Sequence, residues 1–369
     1  MDNIKEYIEK FYNQFMEDMK KLALVPSPPF KEEKRVLYFK KLVEDIGYQN
    51  IHIDKEGNLV ITLKGSSDNL IIFSAHADTV FPEGTPLEIK EEKGIIYCPG
   101  ICDNATGDTA MLYLMKYIKE NNITPKHTMV FLYNVGEEGL GNLRGMKYYF
   151  DNVDKTKVKA HIVIEGHKLG RLTTTVVGSH RCNITIIGEG GHSWREFGKP
   201  NAIIEATKII KKISNINYPS DPKTSFNIGT IQGGTSVNAI PQKAEFSVEV
   251  RSIDGQILKQ KIKEIEEIIS QVTSVKVESK ILGDRPGGNM ENEQLKTIIT
   301  SVHKELDIPT IDDVGSTDSN YPISLGLPSL TIAIADGKKT HSTDEYLLTE
   351  KIRLGLHQLF RIFEEVDKI

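Results

Sequence analysis

The chain has 369 residues, long for a single hydrophobic core, so two domains are expected. Its 39% apolar and 26% charged residues are ordinary for a globular protein. Its 46 Lys plus Arg against 51 Asp plus Glu give a formal charge of -5, which argues against nucleic acid or an anionic membrane as the main partner.

No apolar run approaches membrane-spanning length, and the N-terminus lacks the basic-then-apolar order of a signal peptide. Three cysteines, Cys98, Cys102 and Cys182, are too few for a disulfide framework, so a cytoplasmic location is expected. Cys98 and Cys102 read as small buried residues, because no second Cys or His pair stands at zinc-finger spacing.

Apolar residues at Ile4, Ile8, Phe11, Phe15, Met19 and Leu22 recur every three or four positions and predict a helix over 4–24, stopped by Pro26-Ser27-Pro28-Pro29. A second helix is predicted over 30–46, then strands over 51–54 and 59–63 joined by the turn Lys55-Glu56-Gly57-Asn58. Strand and helix alternate from Leu70: strand 70–74, helix 105–119, strand 128–133, helix 143–150, strand 161–164. Such alternation predicts an α/β fold with a mostly parallel sheet flanked by helices.

After Thr173 the pattern changes to strand 181–188, helix 201–213, strands 224–232 and 244–251, helix 256–271 and strand 275–281. That order is βαββαβ, the ferredoxin-like arrangement. Residues 283–289 read as a linker back, after which helix 293–306, strand 329–335 and helix 349–366 finish the first sheet. The expected division is therefore 1–177 with 287–369 as one domain, and 178–286 as an inserted one.

The chemistry is concentrated where apolar strands give out. Ser74-Ala75-His76-Ala77-Asp78 follows the first, Pro99-Gly100-Ile101-Cys102-Asp103-Asn104 makes a loop, and Gly136-Glu137-Glu138-Gly139 follows another. In an open α/β sheet, ligands gather outside the carboxyl ends of the strands. His76, Asp103, Glu138, Glu165 and His341 are candidate metal ligands: five are too many for one four-coordinate zinc but suit two metals bridged by Asp103. His161 and His167 lie close enough in sequence to stand in for Glu165. His127, His303 and His357 fall in ordinary strand or helix patterns and read as structural. No phosphate loop, His-Glu-x-x-His or Gly-x-Ser-x-Gly elbow is present.

The stretches around Ser74, Gly100, Gly136 and His341 resemble the co-catalytic zinc exopeptidase family that includes peptidase T, acetylornithine deacetylase, succinyl-diaminopimelate desuccinylase and aminoacylase. The resemblance covers nearly the whole chain and is closest in feel to peptidase T-like members. It implies two divalent metal ions, zinc first with cobalt or manganese as alternatives. His76, Asp103 and Glu165 would hold one, and Asp103, Glu138 and His341 the other. Asp78 would orient His76 through its carboxylate, Glu137 would be the general base, and the peptide after Asp103 would be cis. Asn104 and Glu165 depart from the family pattern, the latter standing where peptidase T-like members usually have Asp.

The same resemblance makes 178–286 a lid and dimerisation domain, with a homodimer in which His192 stabilises an oxyanion in the partner's site. Asn238 and Arg251 would hold a substrate carboxylate, with Thr317 and Asp318 nearby. From the residues alone, the alternatives are that His192 caps a turn, Arg251 is a strand-surface residue and Thr317 belongs to an ST-turn. The implied activity is hydrolysis of an amide bond in a short peptide or acylated amino acid. A di- or tripeptide aminopeptidase is the first reading and an N-acyl amino acid deacylase or carboxypeptidase the second. A non-catalytic binding module would have lost a ligand position, and every one is filled.

Overall fold

The computed structural model describes residues 2–369. The chain divides into two compact units, Met1–Thr175 with Met290–Ile369, and Val176–Asn289.

The first unit is built on a mixed sheet. At its centre the strands His127–Asn134, Ser67–His76, Val158–Glu165 and Ser329–Ala333 lie side by side and parallel. The parallel expectation holds for these four. The hairpin Ile51–Ile53 and Leu59–Leu63 adds on one side, and Arg171–Val176 on the other, both antiparallel. All eight residues of His127–Asn134 are buried, as a strand covered on both faces requires.

One face is covered by the helices Asp2–Ala23, Thr106–Glu120, Glu293–Glu305 and Ile352–Val366. The apolar stripe read from the N-terminal sequence is the buried one, since Ile4, Ile8, Phe11, Phe15, Met19 and Leu22 are all in the core. Tyr7, Phe11 and Phe15 meet Tyr113, Tyr117 and Phe360 edge-on or tilted, so the aromatic contacts tie this helix to two others. Arg144–Asn152 brings Met146 and Phe150 to a separate apolar cluster with Val60, Ile72, Val130 and Leu132.

Four short strands escaped the sequence reading. Lys90–Glu92, Ile95–Tyr97, Tyr346–Leu348 and Asp336–Lys338 form a small antiparallel sheet, too short to leave a periodic signal. Tyr346 pairs with Tyr97 and Leu348 with Ile95, which brings the segment carrying His341 beside the one that leads into Asp103.

The second unit has the strands Gly178–Ile187, Thr224–Gly233, Lys243–Ser252 and Lys276–Arg285 and the helices Ala202–Ser214 and Gly255–Ser270. Across the sheet the order is Thr224–Gly233, Lys243–Ser252, Gly178–Ile187, Lys276–Arg285, all antiparallel. Alternate residues Ala244, Phe246, Val248 and Val250 are buried against the helices, so one face is core and the other is not. Asn201 and Asp254 cap the two helices, each side chain accepting two backbone N–H groups. The stretch read as a linker is partly strand, since the last strand runs to Arg285 and Gly288–Asn289 is extended. No helix among the described residues is long and apolar enough to cross a membrane.

Candidate metal centre

The parallel strands of the first unit end together. His76 is the last residue of its strand and lies in register with Asn134; Glu165 is the last of its own, in register with Ala333. Both were expected just past their strands. The loop after Asn134 carries Glu137 and Glu138, and the hairpin after Ala333 carries His341. Asp103 enters from a buried loop whose Asp103–Asn104 peptide is cis.

Two groups of donor atoms result. His76, Asp103 and Glu165 form one, Asp103, Glu138 and His341 the other, with the ligand atoms of each group within 4.8 Å of one another. Asp103 divides its oxygens between them: Oδ1 is 3.0 Å from His76 Nε2, and Oδ2 is 3.3 Å from His341 Nε2. His341 Nε2 is also 3.2 Å from Glu138 Oε1, and His76 Nε2 is 4.0 Å from Glu165 Oε2.

His76 Nδ1 is 3.0 Å from the main-chain carbonyl of Asp78 and donates to it, which fixes the tautomer and leaves Nε2 for the site. This corrects the expected role of Asp78. Its carboxylate stands 3.8 Å from His76 Nδ1 and instead accepts the backbone N–H groups of Glu137 (2.9 Å) and Glu138 (2.7 Å). Asp78 therefore orients the imidazole with its backbone and the two glutamates with its side chain.

Electrostatically, the site is short of positive charge. Burial first, then Asp103, pushes Glu138 and Glu165 each up to about 8. Hydrogen bonds to Asp103 and Glu138 raise His341 to about 11. Burial resists charging His76, yet its hydrogen bond to Asp103 and the surrounding carboxylates raise it well above the usual histidine value. Imidazole nitrogen and carboxylate oxygen are the donors that zinc and its neighbours take, and three donors are one fewer than the four that zinc usually has. The residues fit a pair of divalent cations.

A pH dependence follows for chelator-treated protein. Burial also pushes Asp108 and Asp318 up to about 8 and Glu345 up to about 7. Between the ordinary carboxylate range and these values the folded state holds protons that the unfolded chain has released, so stability falls as pH rises. The raised histidines act in the same direction. Thermal unfolding of metal-free protein should therefore move down between pH 6 and pH 8.5, and added Zn(II) should flatten that slope; a metal-free melting temperature that rises over this interval would contradict the assigned charges.

The remaining expected residues divide. His161 bonds Ser74 Oγ and Ser329 Oγ, each at 2.8 Å, and burial lowers it to about 3, so it is a neutral structural residue. Neither it nor His167 belongs to a ligand group among the described residues. His127 and His303 are likewise hydrogen-bonded within the core. Burial pushes the Cys98 thiol up to about 12, which agrees with a small buried residue.

Thr317 and Asp318 lie in the first unit and are buried. Thr317 Oγ1 accepts the Ser319 N–H at 3.2 Å, the ST-turn alternative, and is 2.8 Å from Thr331 Oγ1. Asp318 accepts from Asn134 Nδ2 at 2.7 Å.

His192, Asn238 and Arg251 belong to the second unit. His192 is exposed, and its Nδ1 accepts the Trp194 N–H at 3.2 Å, which places the ring proton on Nε2. Asn238 is exposed and accepts from Ser236 Oγ at 3.1 Å. The Arg251 fork is already engaged: Nε and Nη2 lie 2.9 and 3.0 Å from the two oxygens of Glu249.

Sequence reasoning missed Glu345. Its buried carboxylate accepts the backbone N–H groups of Gly100 (2.8 Å), Cys102 (2.7 Å) and Asp103 (3.0 Å), clasping the Asp103 loop to the segment that carries His341. Only its place four residues after His341 hinted at this. Arg171 was also missed; it pairs with Asp313 at 2.9 Å, and its charge favours ionised Glu165.

Residues 72–365 match the family described as Peptidase family M20/M25/M40. Protein YqjE of Bacillus subtilis (strain 168) is 27% identical over 332 residues, covering 85% of this chain and 85% of that protein. Carboxypeptidase G2 of Pseudomonas sp. (strain RS-16) is 25% identical over 330 residues, 84% of this chain and 77% of that one. Among solved structures, a tripeptidase from Staphylococcus aureus superposes with a TM-score of 0.79 at 22% identity, covering 97% of this chain and 99% of the other.

Proposed function

As the chain belongs to peptidase family M20/M25/M40 and is a metallohydrolase of peptide or amide bonds, we propose that it is a two-metal exopeptidase cutting di- and tripeptides from the amino end. The observation that carries this reading is Asp103, whose two carboxylate oxygens serve two separate groups of donors. His76 and Glu165 would complete one metal site and Glu138 and His341 the other. When bound, a pair of divalent cations supplies Lewis acidity toward the amide carbonyl and lowers the pKa of water.

The chain's own residues do the rest. Glu137 takes a proton from the attacking water onto its carboxylate and passes it to the leaving amine nitrogen. Asp78 holds the backbone of Glu137 and Glu138 so that both carboxylates keep their places. His192, with its proton on Nε2, is a competent donor to an oxyanion, and we assign it that role from a second copy of the chain. The strand Thr224–Gly233, with exposed Ile231 at the sheet's edge, supports a homodimer through residues 178–286. Asn238, Thr317 and Asp318 are assigned to substrate binding, and Arg251 joins them once it leaves Glu249.

The similarity to carboxypeptidase G2 favours a second reading, a carboxypeptidase or N-acyl amino acid deacylase using the same centre. A panel of free, N-acetylated and C-amidated tripeptides, with N-acetyl amino acids, separates them. Release of the first residue from free peptides, with N-acetylated ones left intact, is expected; the reverse preference would defeat the aminopeptidase reading.

A further inference from the structure

The segment carrying Glu137 and Glu138 has little regular structure of its own. Gly136, Gly139, Asn142 and Leu143 all take left-handed backbone angles, and between them lies a single short turn, Gly139–Gly141. Both glutamates are buried, so their placement depends on what holds this irregular backbone. Asp78 restrains it from the side of the site.

On the opposite side stand two residues to which the proposed chemistry gives no part. Asn58, fully buried in the hairpin, accepts the Val135 N–H on Oδ1 at 3.1 Å. Its Nδ2 donates to the Gly145 carbonyl at 2.9 Å and to Asp54 Oδ2 at 2.7 Å. Arg144 lies over Gly136 so closely that a Cβ there would come within 2.5 Å of its Cγ.

The Arg144 guanidinium then spans two neighbouring segments. Nη2 pairs with the buried Glu32 at 2.8 Å, and Nη1 with Glu56 Oε1 at 2.8 Å and the Glu56 carbonyl at 2.7 Å. The Phe30 ring lies 5.2 Å from Cζ. Arg144 is also the first residue of its helix, where the macrodipole disfavours a cation. Helix stability does not explain it.

We propose that Arg144 and Asn58 are positioning residues that brace the Gly136–Glu138 backbone from behind, and so set the affinity of the Glu138 half of the metal pair and the placement of the Glu137 base. This deepens the proposed function and rests on it. Outer partners of metal-site residues are commonly worth about 10–100-fold in affinity or activity.

The test uses Arg144→Met, which keeps the stem over Gly136 and loses the fork, with Arg144→Lys as the charge-conserving variant. Metal-free wild type and variants are titrated with Co(II), whose visible absorption follows each equivalent, and kcat and KM are measured on a hydrolysed peptide.

The expected result is a Co(II) affinity about 10–100-fold weaker for one equivalent and unchanged for the other, with kcat lowered over the same range and KM within about threefold. Arg144→Lys should recover part of both. Wild-type values in folded Arg144→Met, or equal weakening of both equivalents, would overturn the inference. Should Arg144→Met not fold, the exposed-side variant Glu56→Gln decides: selective weakening of one equivalent supports the brace, and wild-type binding overturns it. Wild type that binds fewer than two equivalents, or hydrolyses no peptide or acyl amino acid, would instead remove the two-metal reading itself.

Discussion

Substituting Glu137→Ala is expected to lower kcat by about 10³-fold, within the range general acid–base catalysis supplies, while leaving two metal equivalents bound. That factor corresponds to about 4 kcal/mol of barrier. The separation of effects follows from the structure. The contact between this segment and Asp78 uses the Glu137 backbone N–H, which alanine retains, and the donor groups contain Glu138 and not Glu137. Elemental analysis and steady-state kinetics on the same preparation test it. Unchanged turnover would take Glu137 out of the mechanism, and loss of metal would make it a ligand.

Asp103→Ala should have the opposite signature. Because each oxygen of Asp103 serves a different histidine, removing the carboxylate takes one donor from each group at once. Bound metal should fall from two equivalents to below one, and turnover should drop beyond detection. The backbone N–H of Asp103 still meets Glu345, so the loop has a reason to keep its path and the protein to stay folded. Retention of one tight equivalent would show that the two sites do not share this residue. Isothermal titration of metal-free variant with Zn(II), set beside its circular dichroism, reads both outcomes.

The sequence showed most of the first unit because its elements are long and amphipathic. The stripe from Ile4 to Leu22 carries a helical period that burial followed, and the apolar runs ending at His76 and Glu165 are continuous and buried along nearly all their length. It also brought forward His76, Glu138 and Glu165, since a carboxylate or imidazole after an apolar strand is conspicuous, whereas Asp103 and His341 sit in loops and stood out by their motifs. What stayed hidden was the means of assembly. Strands of three residues, such as Ile95–Tyr97 and Tyr346–Leu348, have no periodicity to detect, although their pairing sets His341 beside Asp103. Glu345 was invisible for a related reason: its partners are backbone N–H groups, which every sequence has. Asp78 was noticed but given the wrong atom, because residue type does not say whether carbonyl or carboxylate will face a ring.

The clasp made by Glu345 has a consequence for the order of events as the protein is made. Its carboxylate meets the Asp103 N–H across 242 positions of sequence. A nascent chain leaving the ribosome holds His76, Asp103, Glu138 and Glu165 long before His341 and Glu345 emerge, so one half of the centre exists well ahead of the other. On the proposed function, hydrolytic competence would wait for the segment that carries His341 and Glu345 to close on the Asp103 loop.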